Sequence, residues 1–126
     1  MAGNLLPKGE GKMENTKMLM GEIAAVAKEV TMRPHGERKK NDVGEAILAR
    51  FPDLKQRLEI CMEEAITEGY LPEVAQFVFF GDPGLPAFAP DKKLRRAYAI
   101  QPSKLRRAAG IDDFVMVNVY WAALQK

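Results

Sequence analysis

Leu19, Ile23, Val26 and Val30 recur at spacings of four, three and four, a period that places them on one face of a helix beginning at Asn15. Lys17, Glu22, Lys28 and Glu29 fall largely elsewhere around the same helix. Asn15 or Thr16 can accept from the free N–H groups of its first turn. The pattern stops at Thr31–Lys40, where Pro34 and Gly36 disfavour helix. It resumes after Asn41 or Asp42, either of which suits a cap, with Val43, Ile47 and Leu48 facing a core and Phe51 at the end. Pro52 disfavours the α conformation in Phe51 and suits the first turn of a third helix, expected from Pro52 to about Thr67. Leu54, Leu58, Cys61, Met62 and Ala65–Ile66 form its apolar stripe. Gln56, Glu59, Glu63 and Glu64 form its wet side, and Gly69 closes it.

Beyond Gly69 the pattern changes. Val74–Phe80 (VAQFVFF), Ala97–Gln101 (AYAIQ) and Phe114–Tyr120 (FVMVNVY) are short runs rich in β-branched and aromatic residues, and they read as strands. Gly81–Gly84 reads as a turn, and three prolines within eight residues make Leu85–Pro90 an extended loop. Pro102-Ser103 opens a short basic helix, Lys104–Ala109, ended by Gly110. Trp121–Gln125 begins a last helical turn. Three helices followed by three strands predict an α+β fold, with three N-terminal helices packed on a small three-stranded sheet and the short basic helix between the last two strands. Residues 1–12, rich in Gly, Pro and charge, are expected to form a disordered arm, and residues 13–126 a single domain.

Charge changes this picture more than composition does. With 47% hydrophobic and 29% charged residues, the 126-residue chain is ordinary for a globular domain, and its formal charge is only +2. The charge is unevenly spread. From Pro90 to Gly110 there are seven cations (Lys92, Lys93, Arg95, Arg96, Lys104, Arg106 and Arg107) against Asp91 alone, a net +6 that leaves −4 for the rest. A second basic group, Arg33, Arg38, Lys39 and Lys40, lies in the first loop. Such clusters are the electrostatic footprint of phosphate-backbone binders, with Tyr98 placed beside the larger one. The competing reading pairs the cationic face with the acidic helix Pro52–Glu68, within the chain or across a dimer. A basic helix confined to Ser103–Gly110 is too short for a standard recognition helix.

Candidate catalytic chemistry is sparse. The chain has one Cys (Cys61) and one His (His35). Cys61 falls in an apolar stripe and has no base other than His35, and a transition-metal site on His35 lacks partner ligands. Glu59, Glu63, Glu64 and Glu68 have the spacing of a carboxylate-rich cation site, but the Glu-x-x-His motifs that such bundles use are missing. Gly9-Glu10-Gly11-Lys12 lacks the spacing and the Ser or Thr of a phosphate loop. No catalytic residue, metal or cofactor is therefore expected. No apolar run reaches the roughly 18 residues that suggest a spanning helix, and the first residues do not have the pattern of a secretory signal, so no membrane contact and a cytoplasmic location are expected.

The order VAQFVFF, a basic loop, AYAIQPSKLRRAAG and DFVMVNVYWAAL resembles the phage metallopeptidase domain of prophage genes, a relative of the SprT-like short zincins. Asp113-Phe114-Val115-Met116-Val117 and Trp121-Ala122-Ala123-Leu124 carry the likeness, which covers about Leu48–Lys126. In that family a His-Glu-x-x-His helix follows and supplies two zinc ligands and a base. No residue here matches it, so no catalytic role carries over. The resemblance then implies a truncated or degenerate zincin-like scaffold of phage or mobile-element type, non-enzymatic and acting through protein–protein contact or self-association. A nucleic-acid-binding module using Lys92–Arg107 is the alternative.

Overall fold

The structure, a computed structural model, describes residues 12–34, 36, 41–81 and 91–125, and these form six helices with no strand among them. They are α1 (Glu14–Thr31), α2 (Asp42–Arg50), α3 (Leu54–Thr67), α4 (Pro72–Phe80), α5 (Lys92–Ala109) and α6 (Asp113–Leu124). Five of them close a ring in the spatial order α1, α2, α6, α4, α3 and back to α1. The remaining helix, α5, lies along α4 and touches α1.

The first half follows its periodicity. Leu19, Met20, Ile23, Val26, Ala27 and Val30 are buried in α1, Val43 and Ile47 in α2, and Leu54, Leu58, Cys61 and Ala65 in α3. Asn41 occupies the cap position of α2 at φ +68, a left-handed conformation that Asn tolerates, without a side-chain capping bond. Gly69, at φ +104, closes α3 in a Schellman arrangement, with Tyr70 N–H donating to the Ala65 carbonyl and Gly69 N–H to that of Ile66 (both 3.1 Å).

The start of α1 departs from expectation. Neither Asn15 nor Thr16 acts as the cap. Met13 occupies that position at φ +56, and the capping acceptor comes from α3. Glu64 takes hydrogen bonds from Asn15 N (3.0 Å), Asn15 Nδ2 (2.7 Å), Thr16 N (2.8 Å) and Thr16 Oγ1 (2.6 Å). Glu64 was expected on the wet side of α3; it is half-buried, because a carboxylate is the best acceptor for the unpaired amides and the partial positive charge of a helix N-terminus.

The α+β expectation is overturned. Val74–Phe80 lies in α4, Ala97–Gln101 and Lys104–Ala109 are parts of the single helix α5, and Phe114–Tyr120 runs with Trp121 inside α6. In α4, Val74, Ala75, Val78 and Phe79 are all fully buried, at helical spacings of one, three and one. Because α3, α5 and α6 surround α4, little polar contrast survives in its sequence. Pro72 in its first turn, preceded by an extended Leu71, starts the helix. Inward on α6 are Val115, Met116, Val119, Ala122 and Ala123, yet Phe114, Val117 and Leu124 are exposed, so its apolar residues ring the helix and hide its period. Asp112 caps it, Oδ1 accepting from Val115 N at 2.8 Å. The 9-residue stretch 82–90, which contains the expected extended loop, lies outside the described residues, as do residues 1–11 of the expected arm.

Close approach of α2 and α6 rests on one missing side chain. A Cβ added at the buried Gly44 would stand 2.5 Å from Cε3 of Trp121. Changing Gly to Ala in an exposed helix normally stabilises by roughly 1 kcal/mol, but overpacking a core costs about 1–3 kcal/mol. Gly44→Ala is therefore expected to destabilise by about 1–2 kcal/mol. Gly21→Ala, on the open face of α1 with nothing within 4 Å, is expected to stabilise by about 0.5–1 kcal/mol. Urea unfolding of both variants checks the opposite signs.

The second structural test concerns Glu64. Glu64→Ala leaves the N–H and hydroxyl of the fully buried Thr16 without an acceptor. A loss of about 2–4 kcal/mol is expected, with Glu64→Gln in between because one acceptor oxygen remains.

Candidate nucleic-acid interface

The 18 residues of α5 carry seven cations and no acid. Asp91 caps its start, accepting from Lys93 N at 2.9 Å. Gly110, at φ +71, ends it with Ile111 N–H on the Arg106 carbonyl (3.0 Å). The helix continues through Pro102, which has no N–H to give to the carbonyl four residues back. In an isolated helix interior a proline costs roughly 3 kcal/mol. Here the ring is buried and its neighbours hold α5 on α4. Tyr98 meets Phe77 edge-on with ring centroids 5.6 Å apart, and its hydroxyl donates to the Glu73 carbonyl at 3.4 Å. Gln101 Oε1 accepts from Leu71 N at 3.1 Å, satisfying an amide at the start of α4. Leu105, fully buried, and Ala109 complete the inner face.

Outward, Lys93, Arg96, Ile100, Lys104 and Arg107 follow at spacings of three, four, four and three, so they share one stripe, and all are exposed. Fourteen residues separate the first from the last, about 21 Å along the axis. Lys92 flanks the stripe. Among the described residues, none of Lys92, Lys93, Arg96, Lys104 and Arg107 forms an ion pair; the bridges observed are Arg50–Glu29, Arg57–Glu22 and Arg106–Asp113.

Not every residue of the expected basic site joins this face. Arg106 turns inward, half-buried, with Nη1 2.8 Å from Asp113 Oδ1. Its neighbour Tyr120 donates to the carbonyls of Val78 (2.5 Å) and Phe77 (3.3 Å) at the end of α4. Burial raises the pKa of the Tyr120 phenol, and Arg106 partly opposes that shift. Arg95 is exposed and is engaged by other groups. Tyr98, expected beside a phosphate track, is committed to α4. Of the second basic group, Arg33 is exposed just after the C-terminal end of α1, whereas Arg38, Lys39, Lys40 and His35 lie outside the described residues. The 18 residues of α1 rise about 27 Å, so Arg33 lies at the end of that helix opposite to Lys17.

The expected neutralisation of the cations by α3 within the chain is not found among the described residues. The partners of α3 are α1 and α4. Glu64 is spent on α1, while Glu59 and Glu63 are exposed beside a cleft shared with Gln76 and Phe80 of α4. Cys61 is buried, its thiol pushed up to about 12 by burial against the opposing hydrogen bond of Thr16, so near neutral pH it is a protonated core residue.

Sequence reasoning missed Ile100, 47% exposed at the centre of the cationic stripe; an apolar residue in phase with cations rather than with Leu94 and Leu105 was its signal. It also missed a cleft of about 430 Å³ between α1, the end of α3 and α5, lined in part by Lys12, Lys17, Tyr70, Gln101 and Lys104. Among the described residues no three His, Cys, Asp or Glu side chains converge in a way that would hold a metal ion, and no helix is long and apolar enough to cross a membrane. No protein-family model, curated protein or solved structure matches the chain. The segments that suggested a zincin-like strand order are the helices α4, α5 and α6.

Proposed function

We propose that this domain is a non-enzymatic binding module whose α5 face engages the phosphate backbone of a nucleic acid. The observation that carries this reading is the single outward stripe of Lys93, Arg96, Lys104 and Arg107, extended over about 21 Å and without an acidic partner among the described residues. A surface of this kind gains free energy by releasing the counterions condensed on a polyanion, and the gain does not depend on base sequence. The 18-residue length of α5 removes the objection that its basic segment is too short to lie along a groove or a strand.

A second reading has its own observation. Glu59 and Glu63 are exposed on α3 and make no ion pair among the described residues, so the α5 face of a second copy has an acidic partner there.

Fluorescence anisotropy of labelled oligonucleotides between 50 and 200 mM salt separates the two. Four phosphate contacts give a slope of log K against log salt of about −3. Replacing Lys93, Arg96, Lys104 and Arg107 together by Gln is expected to lower affinity at least about tenfold and flatten the slope by about 0.7 for each lost contact, with no dependence on base sequence. Equal affinity and slope for variant and parent contradict the proposal. A salt-sensitive dimer with no oligonucleotide affinity favours the second reading.

A further inference from the structure

Lys104 belongs to two features at once. It stands on the outward stripe of α5, and it lines the cleft of about 430 Å³ between α5, the first turn of α1 and the end of α3. Lys12, just before α1, and Lys17, in its first turn, line the same cleft, and Glu68 is the one acid among its described lining residues. The local charge is therefore net positive. Gln101 adds a held donor group. Its Oε1 is occupied by Leu71 N at 3.1 Å, which fixes the side chain and leaves the amide N–H groups without a partner among the described residues. Tyr70, half-buried, contributes a ring to the wall.

The helix end contributes little here, because Glu64 already accepts from the backbone amides of Asn15 and Thr16. The attraction for an anion comes from ammonium and amide donors that arrive from α1 and α5. Donors approaching from several sides suit a tetrahedral anion with several acceptor oxygens better than a planar carboxylate. The volume also exceeds what one phosphate group fills, leaving room for the sugar attached to it.

We infer that this cleft is a phosphate subsite continuous with the α5 stripe, through which a bound nucleic-acid strand passes from Arg107 and Lys104 toward Lys17 and Lys12. The inference rests on the proposed function of α5 and specifies where the strand goes next. A strand that enters the cleft leaves the outer face of α5, and Tyr70 then offers its ring for a base to stack on, so single strands bind better than duplexes.

The test uses the full chain, a labelled 12-nucleotide oligodeoxythymidylate and, separately, inorganic phosphate. The variant is Lys12→Gln with Lys17→Gln, two exposed changes that leave α5 intact. Expected results are weaker oligonucleotide binding by about fivefold and a salt slope reduced by about 0.7 for each lost contact. In the parent protein, the amide resonances of Lys17, Tyr70 and Gln101 shift on oligonucleotide addition, and millimolar inorganic phosphate reverses the shift. If the Lys12/Lys17 variant binds as the parent does while the α5 variant loses binding, the cleft inference falls and the proposed function stands. If neither variant changes binding, both fall. If inorganic phosphate moves the three resonances and the oligonucleotide does not, the cleft takes a free anion and its continuity with α5 is overturned.

Discussion

One carboxylate fixes the geometry of the N-terminal half. Glu64 reaches from α3 to accept four hydrogen bonds from Asn15 and Thr16, two from backbone and two from side chains. The first turn of any helix has N–H groups without intrahelical partners, and here a neighbouring helix satisfies two of them. The contact locks α1 against α3 in register, which the surface bridge Arg57–Glu22 (2.8 Å) reinforces only weakly at its exposed site. It also consumes the acid best placed to neutralise cations nearby. Lys17, which lines the cleft, lies on the turn that this contact pins.

Helix α5 shows how burial on one face permits charge accumulation on the other. Lys92 and Arg96 stand four residues apart, and Lys93–Arg96 and Lys104–Arg107 three, and each like-charge pair costs a few tenths of a kcal/mol. Pro102 adds a larger penalty. Both are offset by the inner face, where fully burying one side chain such as Leu105 stabilises by about 1.5–3 kcal/mol and Tyr98 and Gln101 tie α5 to α4. The self-repulsion of the outer face remains.

The sequence was legible where one face of a helix meets water. Leu19–Val30 and Leu54–Ala65 alternate with Lys, Glu and Gln at a helical period, and the buried sets follow that period. It was not legible in α4 and α6, because a helix enclosed by neighbours, or apolar on its open side as well, shows no polar phase, and a seven-residue run with five β-branched or aromatic residues (VAQFVFF, FVMVNVY) then mimics a strand. In α5 the period was present but obscured. Leu94, Ala97, Tyr98, Gln101, Leu105 and Ala109 share a face, yet Pro102 read as a helix start rather than as an interior residue tolerated by packing. The cations of the candidate site were visible as a cluster. Which of them share a face was not, because a strand over Ala97–Gln101 and a short helix over Lys104–Ala109 separated Lys93 and Arg96 from Lys104 and Arg107 and gave no reason for Arg106 to turn inward toward Asp113.

The account depends most on α5 being one helix from Lys92 to Ala109, since only then do Lys93, Arg96, Lys104 and Arg107 share a surface. Backbone ¹³Cα chemical shifts of the full chain report this directly. The expected result is an unbroken run of helical shifts from Lys92 to Ala109, continuing across Pro102. Extended-type shifts over Ala97–Gln101, with helix resuming only after Pro102, would contradict it.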